Sequence, residues 1–184
     1  MNEQLAFLKQ IASRLDAARI LYMLTGSMAM AVYAEPRMTR DIDLVIEYQP
    51  EDAVTIAALF EADCYVDVMA IREAVKRRSM FNIIHNEWII KADFIARGDT
   101  EYRRVEFNRR RRFDVEGTPI SVVSPEDLIL SKLVWAKGSN FQLQLRDVEL
   151  IIKSGTTLDW DYLHQWAAKL QVEAVLVLAE GRKP

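Results

Sequence analysis

The chain has 184 residues, a length that suits one ordinary domain with a small appended part and that suffices to bury a sizeable core. Hydrophobic residues make up 51% and charged residues 28%, and the net charge of -3 excludes a protein that coats nucleic acid by overall charge, so any polyanion site has to be local. A single cysteine, Cys64, excludes an internal disulfide or multi-cysteine metal site, and no apolar stretch reads as a signal peptide or membrane span, so the expected location is cytoplasmic.

Leu5, Leu8, Ile11, Ala12 and Leu15 recur at helical spacing and predict an amphipathic helix over residues 3 to 18. ILYML, 20 to 24, reads as a buried strand. Gly26 breaks it, and Ser27 caps a short helix, MAMAVYA, which must stop before Pro36 because the residue preceding proline disfavours helical angles. DIDLVIE follows as a second strand, with Ile42, Leu44 and Ile46 on one face and Asp41, Asp43, Val45 and Glu47 on the other. PEDAVTIAALFEA predicts a helix opened by Pro50, YVDVM an edge strand, and REAVKRR a short basic helix. MFNIIH and WIIKADFIAR, separated by Asn86 and Glu87, predict an antiparallel hairpin whose second strand points Lys91 and Asp93 the same way. After an arginine-rich stretch and the turn EGTP, ISVV predicts one more strand.

From Ser124 onward only helices are expected. SPEDLILSKLVWAK has Ser124 as cap, Pro125 in the first position and Asp127 completing a capping box. NFQLQLRDVELIIKSG stops at Gly155, and Asp159 caps LDWDYLHQWAAKLQVEAVLVLAE. Trp135, Trp160 and Trp166 are expected to pack this part together. The expected class is therefore α+β: a core over 1–123 with a small mixed sheet flanked by helices, and a helical C-terminal subdomain over 124–184 packed on it.

Transfer of a nucleotidyl group requires a bound divalent metal, an in-line attacking oxygen and neutralisation of the leaving pyrophosphate. Aspartates at i and i+2 of a strand share a face, so Asp41 and Asp43 suit Mg2+, or Mn2+, with Asp93 from another strand as a third carboxylate. The Gly26-Ser27 turn opens a helix whose free N–H groups favour the triphosphate. With 13 aspartates in 184 residues roughly one Asp-x-Asp arises by chance, and a second copy, Asp159-Trp160-Asp161, reads as helix capping. Order distinguishes the first copy: strand, Gly-Ser turn, helix, arginine hinge, Asp-x-Asp strand, then a strand bearing Lys-x-Asp.

In that order the chain resembles the nucleotidyltransferase superfamily of DNA polymerase beta type. The closer resemblance is to AbiEii-type nucleotidyltransferase toxins: TGSMAMAVYAEPRMTRDIDLVI is similar to their first motif, IIKADFI to their second, and SPEDLILSKLVWAK with LQLRDVELI to their helical motifs. The resemblance, over about residues 20 to 152, implies Asp41 and Asp43 as metal ligands and Gly26 with Ser27 as the phosphate turn. It further implies Lys132 and Asp147 at the nucleotide site, and Lys91 beside Asp93 at the third-carboxylate position.

Arg37 and Arg40 flank the hinge, where they either steer the triphosphate or pair with Glu35 and Asp41. The run RRVEFNRRRRFD is read either as a solvated face or, from Arg103 to Arg112, as a contact for tRNA or other RNA. The expected activity is transfer of a nucleoside monophosphate from an NTP to a hydroxyl acceptor, in a toxin with a cognate antitoxin or a related enzyme. A small-molecule adenylyltransferase of the antibiotic-modifying kind, or a non-catalytic nucleotide-binding protein on the same fold, stands as the alternative. His85 and His164 are read as structural.

Overall fold

The computed structural model describes residues 3–35, 39, 41–138 and 140–181. The elements run α1 Glu3–Ala17, β1 Leu21–Thr25, α2 Gly26–Met30, β2 Ile42–Glu47, a 3-10 turn at Pro50–Asp52, α3 Ala53–Ala58 and β3 Cys64–Tyr65. They continue with α4 Val68–Arg77, β4 Met80–His85, β5 Lys91–Ala96, α5 Glu101–Asn108, β6 Arg111–Val115 and β7 Thr118–Val122. Four helices close the chain: α6 Pro125–Ala136, α7 Phe141–Lys153, α8 Trp160–Lys169 and α9 Glu173–Ala179.

The strands form one mixed sheet in the order β3-β4-β5-β2-β1-β7-β6. β2 runs antiparallel to β1 and parallel to β5, and β1 runs parallel to β7. Alternation along β2 fixes the register: Ile42, Leu44 and Ile46 are fully buried while Asp43, Val45 and Glu47 are only half-buried. Their register partners Ala92, Phe94, Phe81 and Ile83 complete the apolar face, which α1 and α4 help to cover. Each such aliphatic or aromatic side chain contributes about 1.5–3 kcal/mol by leaving water, and a one-residue slip of β2 would bury Asp43 in its place. The opposite face stays partly open and carries the polar residues.

The helical part packs through α6, which touches α2, α7 and α8, while α9 packs on α7 and α8. Ser124 caps α6 as expected, accepting from Asp127 N at 3.1 Å, and its hydroxyl donates to Asp127 Oδ2 at 2.6 Å. Asp159 caps α8 by accepting from Tyr162 N at 3.0 Å.

Several expectations change in detail. The edge strand expected over 65–69 is only Cys64–Tyr65, because Asp67 accepts from Met69 N and Ala70 N and so starts α4 at Val68. The hairpin turns over 86–89, with His85 N donating to Ile90 O at 2.9 Å and Ile89 at φ 52, so β5 begins at Lys91. The arginine-rich stretch forms α5 and β6, and the last expected helix divides into α8 and α9 where Gln171 takes φ 57. Trp166 is buried against Tyr102, but Trp160 is exposed.

Candidate functional site

Gly26 stands where β1 gives way to α2. Its φ of +67 is left-handed, and a Cβ placed on it would overlap Asp43 Oδ2, so this approach of turn to carboxylate requires glycine. Ser27 lies inside α2, not at its cap; the cap position belongs to Thr25, whose side chain makes no capping bond. Arg40, expected at the nucleotide site, lies outside the described residues, as does Arg37.

Register places a row of polar residues across four adjacent strands. Asn82 of β4 stands opposite Asp93 of β5, Asp93 opposite Asp43 of β2, and Asp43 opposite Thr25 of β1. Asp93 is buried; its Oδ1 accepts from Asn82 Nδ2 and its Oδ2 from Lys91 Nζ at 2.8 Å. Lys91 Nζ also lies 3.8 Å from Asp41 Oδ1, so one ammonium stands between the two carboxylates. The bond to Asp93 raises the pKa of Lys91 against a small desolvation penalty.

Among the described residues Asp43 has no such partner at close range. Burial, then the negative charges of Asp93 and Asp41, push its carboxyl up from 3.8 to about 6, against the opposing fields of Lys91 and Lys132. Lys132 of α6 is itself buried, 2.6 Å from Asp147 Oδ2 of α7, and its field lowers the pKa of Asp43. The sequence-predicted residues Gly26, Asp41, Asp43, Lys91 and Asp93 thus come together at one end of the sheet, with Lys132 of the Lys132-Asp147 pair acting on Asp43 through its field.

A cleft of about 440 Å3 opens from this point along the free face of the sheet. Val45, Met80 and Ile95 give it an apolar floor, and Glu106, Ser131 and Trp135 form a wall. In that wall Arg103 donates to Glu106 at 2.7 Å and to Ser131 at 2.8 Å, while Ser131 Oγ donates to Glu106 Oε1 at 2.6 Å. Sequence reasoning expected the helical part to close one wall of the cleft but missed Asn82 and the Arg103, Glu106 and Ser131 bonds in that wall. Asn82 is the polar member of the Met80, Asn82, Ile84 face and signals that face as unusual, but a two-residue turn would have set it opposite Lys91.

The donor set suits a hard divalent cation: three carboxylates, oxygen ligands only, crowded enough to raise Asp43 and already drawing an ammonium between two of them. Among the described residues no group of three or more His, Cys, Asp or Glu side chains is arranged to hold a metal ion as the side chains stand. Lys91 would have to yield its place for Asp93 to join.

The likeness to known proteins follows the same outline. A crystal structure of an antigenic nucleotidyltransferase-like protein from Paracoccidioides brasiliensis superposes with a TM-score of 0.67 at 18% identity, covering 96% of this chain and 88% of that one. ANT(2'')-Ia in complex with adenylyl-2''-tobramycin gives 0.62 at 15% identity, over 92% of this chain and 98% of that one. The lincosamide antibiotic adenylyltransferase LnuA, lincomycin-bound, gives 0.52 at 13% identity, over 83% and 97%. These likenesses establish a nucleotidyltransferase fold. No curated protein matches the chain in sequence. The family described as nucleotidyl transferase AbiEii toxin, type IV TA system, matches residues 7–148. Spanning most of the chain, that match makes this protein a member of the AbiEii nucleotidyltransferase family.

Proposed function

We propose that the protein transfers a nucleoside monophosphate from an NTP to a hydroxyl acceptor at the Asp41, Asp43 and Asp93 cluster, with release of pyrophosphate. The observation that carries this reading is the in-register facing of Asp43 and Asp93 beside Gly26, with Asp43 raised to about 6. Asp41 and Asp43, joined by Asp93, would hold Mg2+ or Mn2+, which when bound supplies charge neutralisation at the reacting phosphate. Gly26 lets the turn lie against the Asp43 carboxylate, and its backbone with that of Ser27 would meet the phosphates. Asp93 accepts the proton of the attacking hydroxyl once Lys91 releases its Oδ2, and Lys91 then stands free to meet a phosphate oxygen. Asn82 keeps the other oxygen of Asp93 in place.

Lys132, with Asp147 fixing its ammonium, offsets negative charge at Asp43. The helical part, 124–184, closes one wall of the cleft through Ser131 and Trp135. The acceptor we read first as an RNA hydroxyl, in a toxin held in check by a cognate antitoxin, on the strength of the family. Among the described residues no helix is long and apolar enough to cross a membrane.

Asp41→Ala combined with Asp43→Ala should abolish transfer of label from NTP while the melting curve stays cooperative. Full transfer by that variant would sink the reading. Incubation of labelled ATP with RNA and with antibiotics separates the RNA acceptor from the small-molecule alternative. Calorimetry that finds NTP binding without turnover on any acceptor would favour a non-catalytic protein.

A further inference from the structure

The six arginines of RRVEFNRRRRFD are divided by the fold. Arg103 and Arg109 are neutralised, the first by Glu106 of its own helix α5 and the second by Glu126 and Asp127 of α6. Arg110, Arg111 and Arg112, at the passage from α5 into the edge strand β6, line a second cavity of about 310 Å3 together with Asp16, Asn108, Tyr22 and Ser121. It shares no lining residue with the Asp43 cleft.

Positive charge in this cavity is only partly answered. Arg110 lies over the Phe107 ring at 4.3 Å and donates to the Phe107 carbonyl at 2.5 Å, and among the described residues no carboxylate forms an ion pair with it. Burial pushes its pKa down; Glu47 opposes this but is bonded to Arg97 at 3.1 Å, and Arg112 adds to the lowering. Arg111 reaches Glu126 at 3.7 Å, a carboxylate that Arg109 holds more closely at 3.1 Å. Arg112 alone is well paired, by two bonds to Asp16 at 3.0 and 2.9 Å. Arg110, Arg111 and Arg112 line the cavity against one lining carboxylate, Asp16, and Glu126 answers Arg111 from outside it, so a surplus of about one positive charge is left, at Arg110.

We propose that this cavity is a phosphate-binding site, separate from the catalytic cluster, taking a phosphate group through Arg110, Arg111 and Arg112, with Asn108 and Ser121 as neutral partners. A singly charged phosphate, free or as a backbone phosphodiester, matches the surplus charge, and the forked donors of arginine match its oxygens. Half-burial of Arg110 strengthens the attraction, because water no longer screens it fully. The shared chemistry admits two sources, free phosphate or the backbone of a single-stranded RNA.

The test uses the full chain in EDTA, so that magnesium-dependent turnover plays no part, with inorganic phosphate and a labelled uridylate 12-mer as probes. Arg110→Gln with Arg111→Gln should weaken binding at least about tenfold and, for the 12-mer, flatten the logarithmic salt dependence by about 0.7, as expected for one lost phosphate contact. Arg110→Lys with Arg111→Lys, which keeps charge but not the fork, should lose part of that affinity. Loss confined to inorganic phosphate identifies a free-phosphate site, and loss of the 12-mer identifies the RNA backbone; either supports the site. The proposal is overturned if both variants bind both probes as the wild type does, if neither probe binds the wild type, or if Asp41→Ala with Asp43→Ala removes the binding. Because that last variant also tests transfer, failure of the phosphate site and failure of the transferase reading are told apart.

Discussion

Two groups of carboxylates are packed into this chain and they are treated in opposite ways. Glu106, Glu126 and Asp127 lie deepest, at 2% exposure or less, and each is met by arginine: Arg103 for the first, Arg109 for the other two. Ser131 also donates to Glu106, while Ser124 and Tyr162 donate to Asp127, and Arg109 covers the Tyr162 ring at 3.8 Å. Asp41, Asp43 and Asp93 are less deeply placed, yet they face one another, and Lys91 is their close cation. Buried charge with fitted partners ties α5 to the helical part; carboxylates crowded against each other, with one shared ammonium, are what the proposed ligand site rests on.

The contrast predicts opposite outcomes for removing a carboxylate from each group. Asp43→Asn should lower transfer roughly 1,000-fold or more, since it removes a ligand of the proposed metal site, yet raise the melting temperature at pH 8 by relieving repulsion. A label-transfer assay and a melting curve on the same preparation check both halves. Asp127→Ala should instead destabilise by about 3 kcal/mol in urea titration, because Arg109, Tyr162 and Ser124 lose a buried partner. If the two substitutions changed stability in the same direction, the distinction between the groups would fail.

The pH dependence sharpens the same comparison. A carboxyl raised from 3.8 to about 6 binds its proton more tightly in the folded chain, so its contribution to stability is complete below about pH 4 and is lost as pH rises through 6. In EDTA the wild type should therefore lose on the order of 2 kcal/mol between pH 4.5 and 7.5 relative to Asp43→Asn, by denaturant titration at each pH. Magnesium should reduce that loss, and no difference between the two proteins would show that Asp43 is not strained by its neighbours. Asp63 behaves in the reverse sense: hydrogen bonding from Arg14 holds its carboxyl down at about 2, so its contribution fades only in strong acid.

The smallest effect concerns the turn. Gly26→Ala should cost about 1–2 kcal/mol through its left-handed backbone and push Asp43 out of position, so transfer should fall further than stability. Equal activity in Gly26→Ala would mean that the close approach of turn and carboxylate has no bearing on transfer.

Much of the site was legible because strand alternation and a glycine at a strand end are local properties. Asp41, Asp43 and Asp93 could be chosen by face alone, since a shift of register by two residues preserves the face. That same shift hid Asn82: turning over 86–89 instead of two residues moved its opposite neighbour from Lys91 to Asp93. Arg103 and Arg109 could not be told from Arg110 to Arg112, because a run of like residues carries no local record of which helix will come to face each one.

By itself the sequence determined most of the elements, though not α5, β6 or the break between α8 and α9, together with the apolar face of β2, the caps at Ser124 and Asp159, and the residue types able to gather a divalent cation, because these follow from neighbours a few positions apart. Only the tertiary structure decided that Lys91 stands between Asp93 and Asp41, that Lys132 lowers the Asp43 pKa through its field, and that Arg103 and Arg109 of the arginine run are neutralised by glutamate and aspartate. Those outcomes depend on distances between segments far apart in the chain, and electrostatic energy is set by distance and burial rather than by order along the backbone.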